Sequence, residues 1–267
     1  MRYFIKLSYD GSLFCGWQAQ PNAKTVQECL EYALSTLLNE KISVVGAGRT
    51  DSKVNAVGYA AHFDSLSEPD TGRLIYKLNA ILPPGIVVHD IHRISDDFHA
   101  RFSATRREYT YFVHRMKDPF VNGYSYYCSY KLDLGAMNKA ASLLLGRHDF
   151  GCFEKVGSDN KTSICTVQEA GWFSYRPAHC ELMGFGKEED YLYFRISADR
   201  FLRNMVRAVV GSLLEVGRGK RSLEDFAALI REAGSQERKT GSGGKAARSL
   251  AGESVPGHAL FLSKVEY

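Results

Sequence analysis

The sequence predicts an α+β fold of two similar units, each a mixed or antiparallel sheet with helices on one face. Three observations lead there. Short β-branched and aromatic segments alternate with stretches of helical period, and both halves of the chain run in the order strand, helix, strand. The 267 residues suffice for two modest domains, each with its own core. No long uncharged apolar run interrupts the pattern, and no charged-then-apolar leader follows Met1, so nothing in the sequence argues for a membrane or for secretion.

In chain order, residues 2–9 alternate as a first strand that Asp10-Gly11 stops. Thr25-Val26-Gln27-Glu28 is a capping box. Behind it Val26, Cys29, Leu30, Ala33, Leu34, Leu37 and Leu38 form the apolar stripe of a helix. Residues 42–45 and 57–63 read as strands around a glycine-rich loop. Residues 71–82 read as a helix with Leu74, Leu78 and Ile81 inward, ended by Pro83-Pro84-Gly85, and 87–91 as a further strand. In the second half, 108–114 is a strand with Tyr109, Tyr111 and Val113 on one face. Residues 133–145 form a helix and 167–175 and 191–196 strands. A long helix is expected from about 200 to 216, a last amphipathic helix over 222–233 capped by Ser222, and a closing strand over 259–265. The stretch 235–254, rich in Gly, Ser, Lys and Arg without apolar period, reads as a mobile, solvated loop. The domain boundary falls near 101–107, giving domains 1–103 and 104–267.

Composition narrows the chemistry. Six cysteines (Cys15, Cys29, Cys128, Cys152, Cys165, Cys180) lie scattered without a C-x-x-C pair, so they read as free thiols with no zinc spacing. There is no phosphate-cradling G-x-x-x-x-G-K and no His/Glu ligand cluster, so no metal and no cofactor is expected. His62, His99 and His148 are isolated and read as structural or as facing a bound partner. The formal net charge of +4 permits a nucleic-acid partner without requiring one. The distribution says more. On the expected helix 200–216, Arg200, Arg203 and Arg207 fall three and four apart beside the apolar stripe, bracketed only by Asp199 and Glu215. Such a stripe is either a solvated helix face or a phosphate-binding surface, and the scarcity of neighbouring carboxylates favours the second.

The chain is organised around the run from Gly46-Ala47-Gly48-Arg49-Thr50-Asp51 to Gly58, between two strands. Gly46 and Gly48 let the backbone turn sharply and approach something closely. A carboxylate beside a fixed cation stays ionised, which suits a nucleophile. On these residues alone, a surface loop with an ordinary ion pair is the simpler account.

Five blocks in order change that reading. Gly48-Arg49-Thr50-Asp51 is followed by Phe98-His99-Ala100-Arg101-Phe102-Ser103-Ala104-Thr105 with Arg106-Arg107-Glu108-Tyr109-Thr110-Tyr111. Then come Phe201-Leu202-Arg203-Asn204-Met205-Val206-Arg207 with Gly211 and Glu215-Val216-Gly217-Arg218-Gly219. The opening Tyr9-Asp10-Gly11 to Gly16-Trp17-Gln18 and the closing Pro256-Gly257-His258-Ala259-Leu260-Phe261-Leu262 complete the set. From end to end the chain resembles the TruA family of tRNA pseudouridine synthases.

The resemblance implies two RRM/ferredoxin-like domains with an active-site cleft between them. It implies isomerisation of uridine to pseudouridine in the anticodon arm of tRNA, in the cytoplasm, by a homodimer without a cofactor. Asp51 is then the catalytic nucleophile, Tyr109 the aromatic that stacks on the target uracil, and Arg207 the cation that pairs with Asp51. Arg49, Arg101, Arg106 and Arg203 are further substrate-binding residues, while Tyr111 belongs to the core. One departure stands out: after the aspartate the family usually continues Ala-Gly-Val-His-Ala, and here Ser52-Lys53-Val54-Asn55-Ala56 stands instead. Lys53 replaces a glycine and is strained if that position needs φ > 0. Asn55 replaces a histidine and changes a polar group expected near the substrate. A non-catalytic RNA-binding module and a glycosidase-like hydrolase remain the other readings.

Overall fold

Alternation in the first strand sets the register of the first sheet. In β1 (Arg2–Tyr9) the side chains of Tyr3, Ile5, Leu7 and Tyr9 are buried. A strand of period two presents such a row to one face only. The computed structural model describes residues 1–158, 160–232 and 250–267. It divides into two compact units, one of Met1–Arg107 with Phe261–Tyr267, the other of Glu108–Leu260.

In the first unit, the Thr25 hydroxyl accepts the Glu28 N–H and starts α1 (Val26–Leu38), a cap worth about 1 kcal/mol. β2 (Val44–Gly46) and β3 (Asn55–Asp64) follow. Asp70 caps α2 (Thr71–Ile81), and β4 (Ile86–Arg93) comes next. β1 lies between β3 and β4, antiparallel to both, with Ile5 opposite Ala61 and Ile91. The last strand in chain order, β11 (Leu260–Glu266), runs parallel to β3, with Phe261 opposite Asn55. The closing strand, read from the sequence as the end of the second domain, therefore pairs inside the first unit. Strand order along a sheet is set by long-range pairing, which local pattern does not encode. Leu30, Leu34, Leu74 and Leu78 are the buried faces of the two helices.

The second unit contains β5 (Arg106–His114, its first two residues counted with the first unit), β6 (Tyr126–Tyr127), α3 (Leu134–Ser142) and β7 (Gly146–Asp149). β8 (Ile164–Ser174), α4 (Ala178–Met183), β9 (Tyr191–Ala198), α5 (Met205–Gly217), α6 (Leu223–Ala227) and β10 (Arg231–Glu232) complete it. The sheet order is β10-β7-β8-β9-β5, with β6 parallel to β5. Tyr111 and Val113 of β5 are fully buried, and Tyr109 on the same face is half-buried. The two units share one device. Asn79 of α2 exchanges both amide hydrogen bonds with Val88 of β4 at 2.8 Å. Asn138 of α3 does the same with Trp172 of β8, at 3.1 and 2.7 Å. A side-chain amide that satisfies a backbone N–H and C=O together fixes a helix to a strand without leaving a polar group orphaned.

Two helices differ from expectation. The long helix begins at Met205, not near residue 200, because Asn204 takes a left-handed backbone (φ 67°). Arg200 and Arg203 therefore precede the helix and do not share a stripe with Arg207. α6 ends at Ala227, since Arg231 and Glu232 pair with Asp149 and His148 of β7. Pairing with a sheet overrides the local helical period. Most of the expected solvated loop, residues 235–249, lies outside the described residues. Its end, 250–254, is packed: Gly252 N–H donates to the Ser212 hydroxyl at 2.8 Å. A Cβ on Gly211 would lie 1.9 Å from the Glu253 carbonyl oxygen. Gly211→Ala is accordingly expected to destabilise the protein by about 2 kcal/mol through overpacking, read as a lowered urea midpoint with unchanged slope.

Candidate active site

The loop between β2 and β3 is pinned from three sides. Beneath it Trp17 and Tyr59 stack with ring centroids 4.1 Å apart, and Tyr9 lies 5.5 Å from Tyr59. The Tyr59 hydroxyl donates to the Gly48 carbonyl, and the Tyr9 and Thr50 hydroxyls are 2.9 Å apart. A Cβ on Gly46 would meet the Tyr59 hydroxyl at 2.1 Å and the Trp17 ring at 2.6 Å. Gly46 thus makes the close approach expected of it. Gly48 does not, for open space surrounds the position of its Cβ. The second close approach belongs to Gly16 (φ 88°), whose Cβ would lie 2.4 Å from the Thr50 carbonyl oxygen.

On another side, the Trp17 N–H donates to Thr50 O and the Lys53 N–H to Phe14 O, both at 3.4 Å. The loop closes on itself where Val54 N–H donates to Asp51 O at 3.2 Å. Lys53 adopts the left-handed conformation (φ 66°), so the strain expected from its replacement of glycine is present. Asn55, the polar group expected near the substrate, has a structural partner. It is buried, and its Oδ1 accepts the Gly11 N–H at 2.8 Å, which makes it a brace of the loop.

The third hold comes from Arg107. Its guanidinium donates to the carbonyls of Ala47 (3.1 Å), Ala104 (3.3 Å) and Arg101. One planar fork therefore ties the base of the Asp51 loop to the 101–104 turn. That turn is held in addition by buried His62, whose Nδ1 accepts the Ala100 N–H at 3.1 Å. Burial, with the charges of Arg2 and His99, pushes the His62 imidazole down to about 4. It is therefore a neutral acceptor at physiological pH. The sequence signals neither role, because both depend on carbonyls far away along the chain.

On this frame Asp51 is half-buried, while Arg49 and Arg101 are exposed, the latter 5.6 Å from the Phe102 ring. Arg106 is half-buried at the start of β5. In the second unit, half-buried Tyr109 meets Phe201 edge to face, with centroids 5.1 Å apart at 88°. That contact fixes the tyrosine ring in one plane. Arg207, in the first turn of α5, donates from Nε to Val255 O at 2.7 Å, and Val255 N–H returns a bond to Arg207 O. Arg203 is exposed just before the helix and Arg200 reaches Asn160 Oδ1 at 3.2 Å. All six cysteines are free.

A family model described as tRNA pseudouridine synthase matches residues 140–267. Curated relatives align with the whole of the chain. One from Bacteroides thetaiotaomicron is 46% identical, across all of this chain and 90% of its own length. Another from Bacteroides fragilis is 45% identical, across all of this chain and 96% of its own. A third, from Bacillus subtilis, is 39% identical, across all of this chain and 99% of its own. The chain belongs to the tRNA pseudouridine synthase family. Within that family all three of these relatives bear the name tRNA pseudouridine synthase A.

Two outcomes test the loop's construction. Lys53→Gly is expected to raise stability by about 1 kcal/mol in urea unfolding, since it removes a left-handed lysine. For His62, the folded pKa lies below the unfolded value of about 6.5. Its contribution is therefore complete above that value and is lost as pH falls towards about 4. His62→Gln, which keeps an acceptor for the Ala100 N–H, is expected to flatten the fall of the urea midpoint across that window.

Proposed function

We propose that this protein isomerises uridine to pseudouridine in tRNA, with Asp51 as the nucleophile. The observation that carries this reading is the Gly48-Arg49-Thr50-Asp51 loop, intact and braced at every turn, in a chain aligned along its whole length with tRNA pseudouridine synthase A proteins. The reaction breaks the bond between uracil N1 and ribose C1′ and turns the base. It then joins C5 to C1′, moving the C5 proton to solvent while N1 gains one. No outside group donor is consumed. An ionised carboxylate starts the reaction by attacking either C1′ or C6. The target nucleotide leaves its stack first.

Tyr109 supplies the ring that keeps the detached uracil in place by stacking. The family resemblance assigns Arg207 to keeping Asp51 ionised. Arg49, Arg101, Arg106 and Arg203 are assigned to the nucleotide and its phosphates. Their positions in the β2–β3 loop, the 101–104 turn, the start of β5 and just before α5 suit separate phosphate contacts better than one continuous stripe. The target uridines are those of the anticodon arm, again by resemblance, and the reaction belongs in the cytoplasm with its substrate. No helix among the described residues is long and apolar enough to cross a membrane. The working unit is a homodimer. Exposed Phe120, Leu182 and Met183 in the second unit offer apolar surface that association would cover.

Tritium release from tRNA labelled at uridine C5 tests the reaction. Wild-type protein is expected to release label with no loss of base. Binding without release would leave a non-catalytic RNA-binding module, and appearance of free uracil a hydrolase. Asp51→Asn is expected to abolish release while tRNA affinity stays within about threefold, because the arginines and not the carboxylate hold phosphate. Tyr109→Phe is expected to retain most of the rate and Tyr109→Ala to lose it. Equal losses would assign the hydroxyl, and not the ring alone, to the chemistry. Light scattering is expected to give twice the chain mass, and a fully active monomer would remove the dimer from the account.

A further inference from the structure

Away from the Asp51 loop, the second unit brings three side chains of different donor type to one point. Asp118, His179 and Cys180 place a carboxylate oxygen, an imidazole nitrogen and a thiol sulfur within 4.8 Å of one another, the one such group among the described residues. We propose that Asp118 Oδ2, His179 Nε2 and Cys180 Sγ form a binding site for a single divalent transition metal of the zinc type. The site serves the second unit's structure and not the uridine chemistry.

The separations carry the inference. His179 Nε2 lies 2.8 Å from Asp118 Oδ2 and 3.3 Å from Cys180 Sγ. Around tetrahedral zinc, ligand nitrogen and oxygen lie about 3.3 Å apart, and nitrogen and sulfur about 3.6 Å. On these two edges the ligands part by about 0.5 and 0.3 Å to admit the ion. The outer contacts that orient metal ligands are also in place. Phe120 N–H donates to Asp118 Oδ1 at 2.9 Å, and the Tyr191 hydroxyl donates to Oδ2 at 2.7 Å. Such partners set the direction in which the carboxylate offers its remaining lone pair.

Burial and donor softness narrow the ion. Asp118 and Cys180 are buried, whereas the His179 side chain keeps 21% exposure, which leaves a path for the ion and room for a water as fourth ligand. A thiolate with one imidazole and one carboxylate suits zinc or cobalt, and disfavours magnesium and calcium, which take oxygen ligands. Binding is balanced by proton release. The Cys180 thiol, now 3.2 Å from the Tyr191 hydroxyl, gives its proton to solvent, and neutral His179 binds through Nε2 with its proton on Nδ1. No spacing rule finds this site in the sequence, since Asp118 and His179 are 61 residues apart and the other two ligands are adjacent.

The test is titration of the chelator-treated full chain with cobalt(II) alone. One equivalent is expected to bind with the absorption of a tetrahedral ion and a sulfur-to-metal charge-transfer band, with zinc displacing it and raising the thermal midpoint. Cys180→Ser is expected to lose the charge-transfer band. Tyr191→Phe, which removes only an outer contact, should weaken binding by about tenfold. If Cys180→Ser does not fold, His179→Gln at the exposed side of the site takes its place and is expected to lose tetrahedral binding. A wild-type protein without the band overturns the proposal and leaves the cluster a hydrogen-bonded brace. A band that survives in Cys180→Ser overturns it as well, because it would then arise from another thiol such as Cys15.

Discussion

The Arg107 guanidinium holds together the part of the first unit on which function depends. A loop that is to carry the proposed nucleophile must be rigid, yet Ala47 to Val54 lies between β2 and β3 and belongs to neither strand. Arg107 answers this by donating to Ala47, Ala104 and Arg101 carbonyls, while the Tyr59 hydroxyl takes the Gly48 carbonyl from below. Each charge-assisted bond to a carbonyl contributes about 1.5–3 kcal/mol, and losing the donor would leave several acceptors unsatisfied at once. Rigidity built this way costs no reorganisation when substrate arrives, which is the condition for efficient positioning.

Local chemistry made some elements readable from the sequence. The Thr25 capping box and the stripe behind it give α1 its start and its face, and the alternation of β1 gives its register. The requirement for φ > 0 at Lys53 follows from the residue usually found there, and the backbone meets it. The start of α5 was not readable, because Leu202 continues the apolar period of the helix and only the left-handed turn at Asn204 breaks it. The true brace of the loop was also hidden. Arg107 reads as one more basic residue in a basic run, and only folding brings Ala47 to it across sixty positions. Asn55 carries a role that its motif does not announce: its side chain accepts the Gly11 N–H.

The second unit follows a different logic. α5 is buried on nearly all sides, so its first turn leaves Arg207 as a charged group set into apolar surroundings. The Val255 carbonyl takes one of its donors and anchors the chain that returns from residues 250–254. Phe201, just ahead of the helix, meets Tyr109 edge on and sets its plane. The segment 201–207 thus contains Arg207, which Val255 holds, and the ring that sets Tyr109, the two residues assigned to chemistry in this unit. Changes in that segment should act on both together.

The central claim is that the Asp51 loop is set in place before substrate arrives, and the Tyr59 hydroxyl tests it most directly. Tyr59→Phe keeps the ring packed against Trp17 and removes the hydroxyl that donates to the Gly48 carbonyl. Single-turnover pseudouridine formation should slow by about tenfold, the worth of one such bond, while tRNA affinity stays unchanged. A variant that turns over at the wild-type rate would contradict the claim, because the loop would then hold its geometry without that brace.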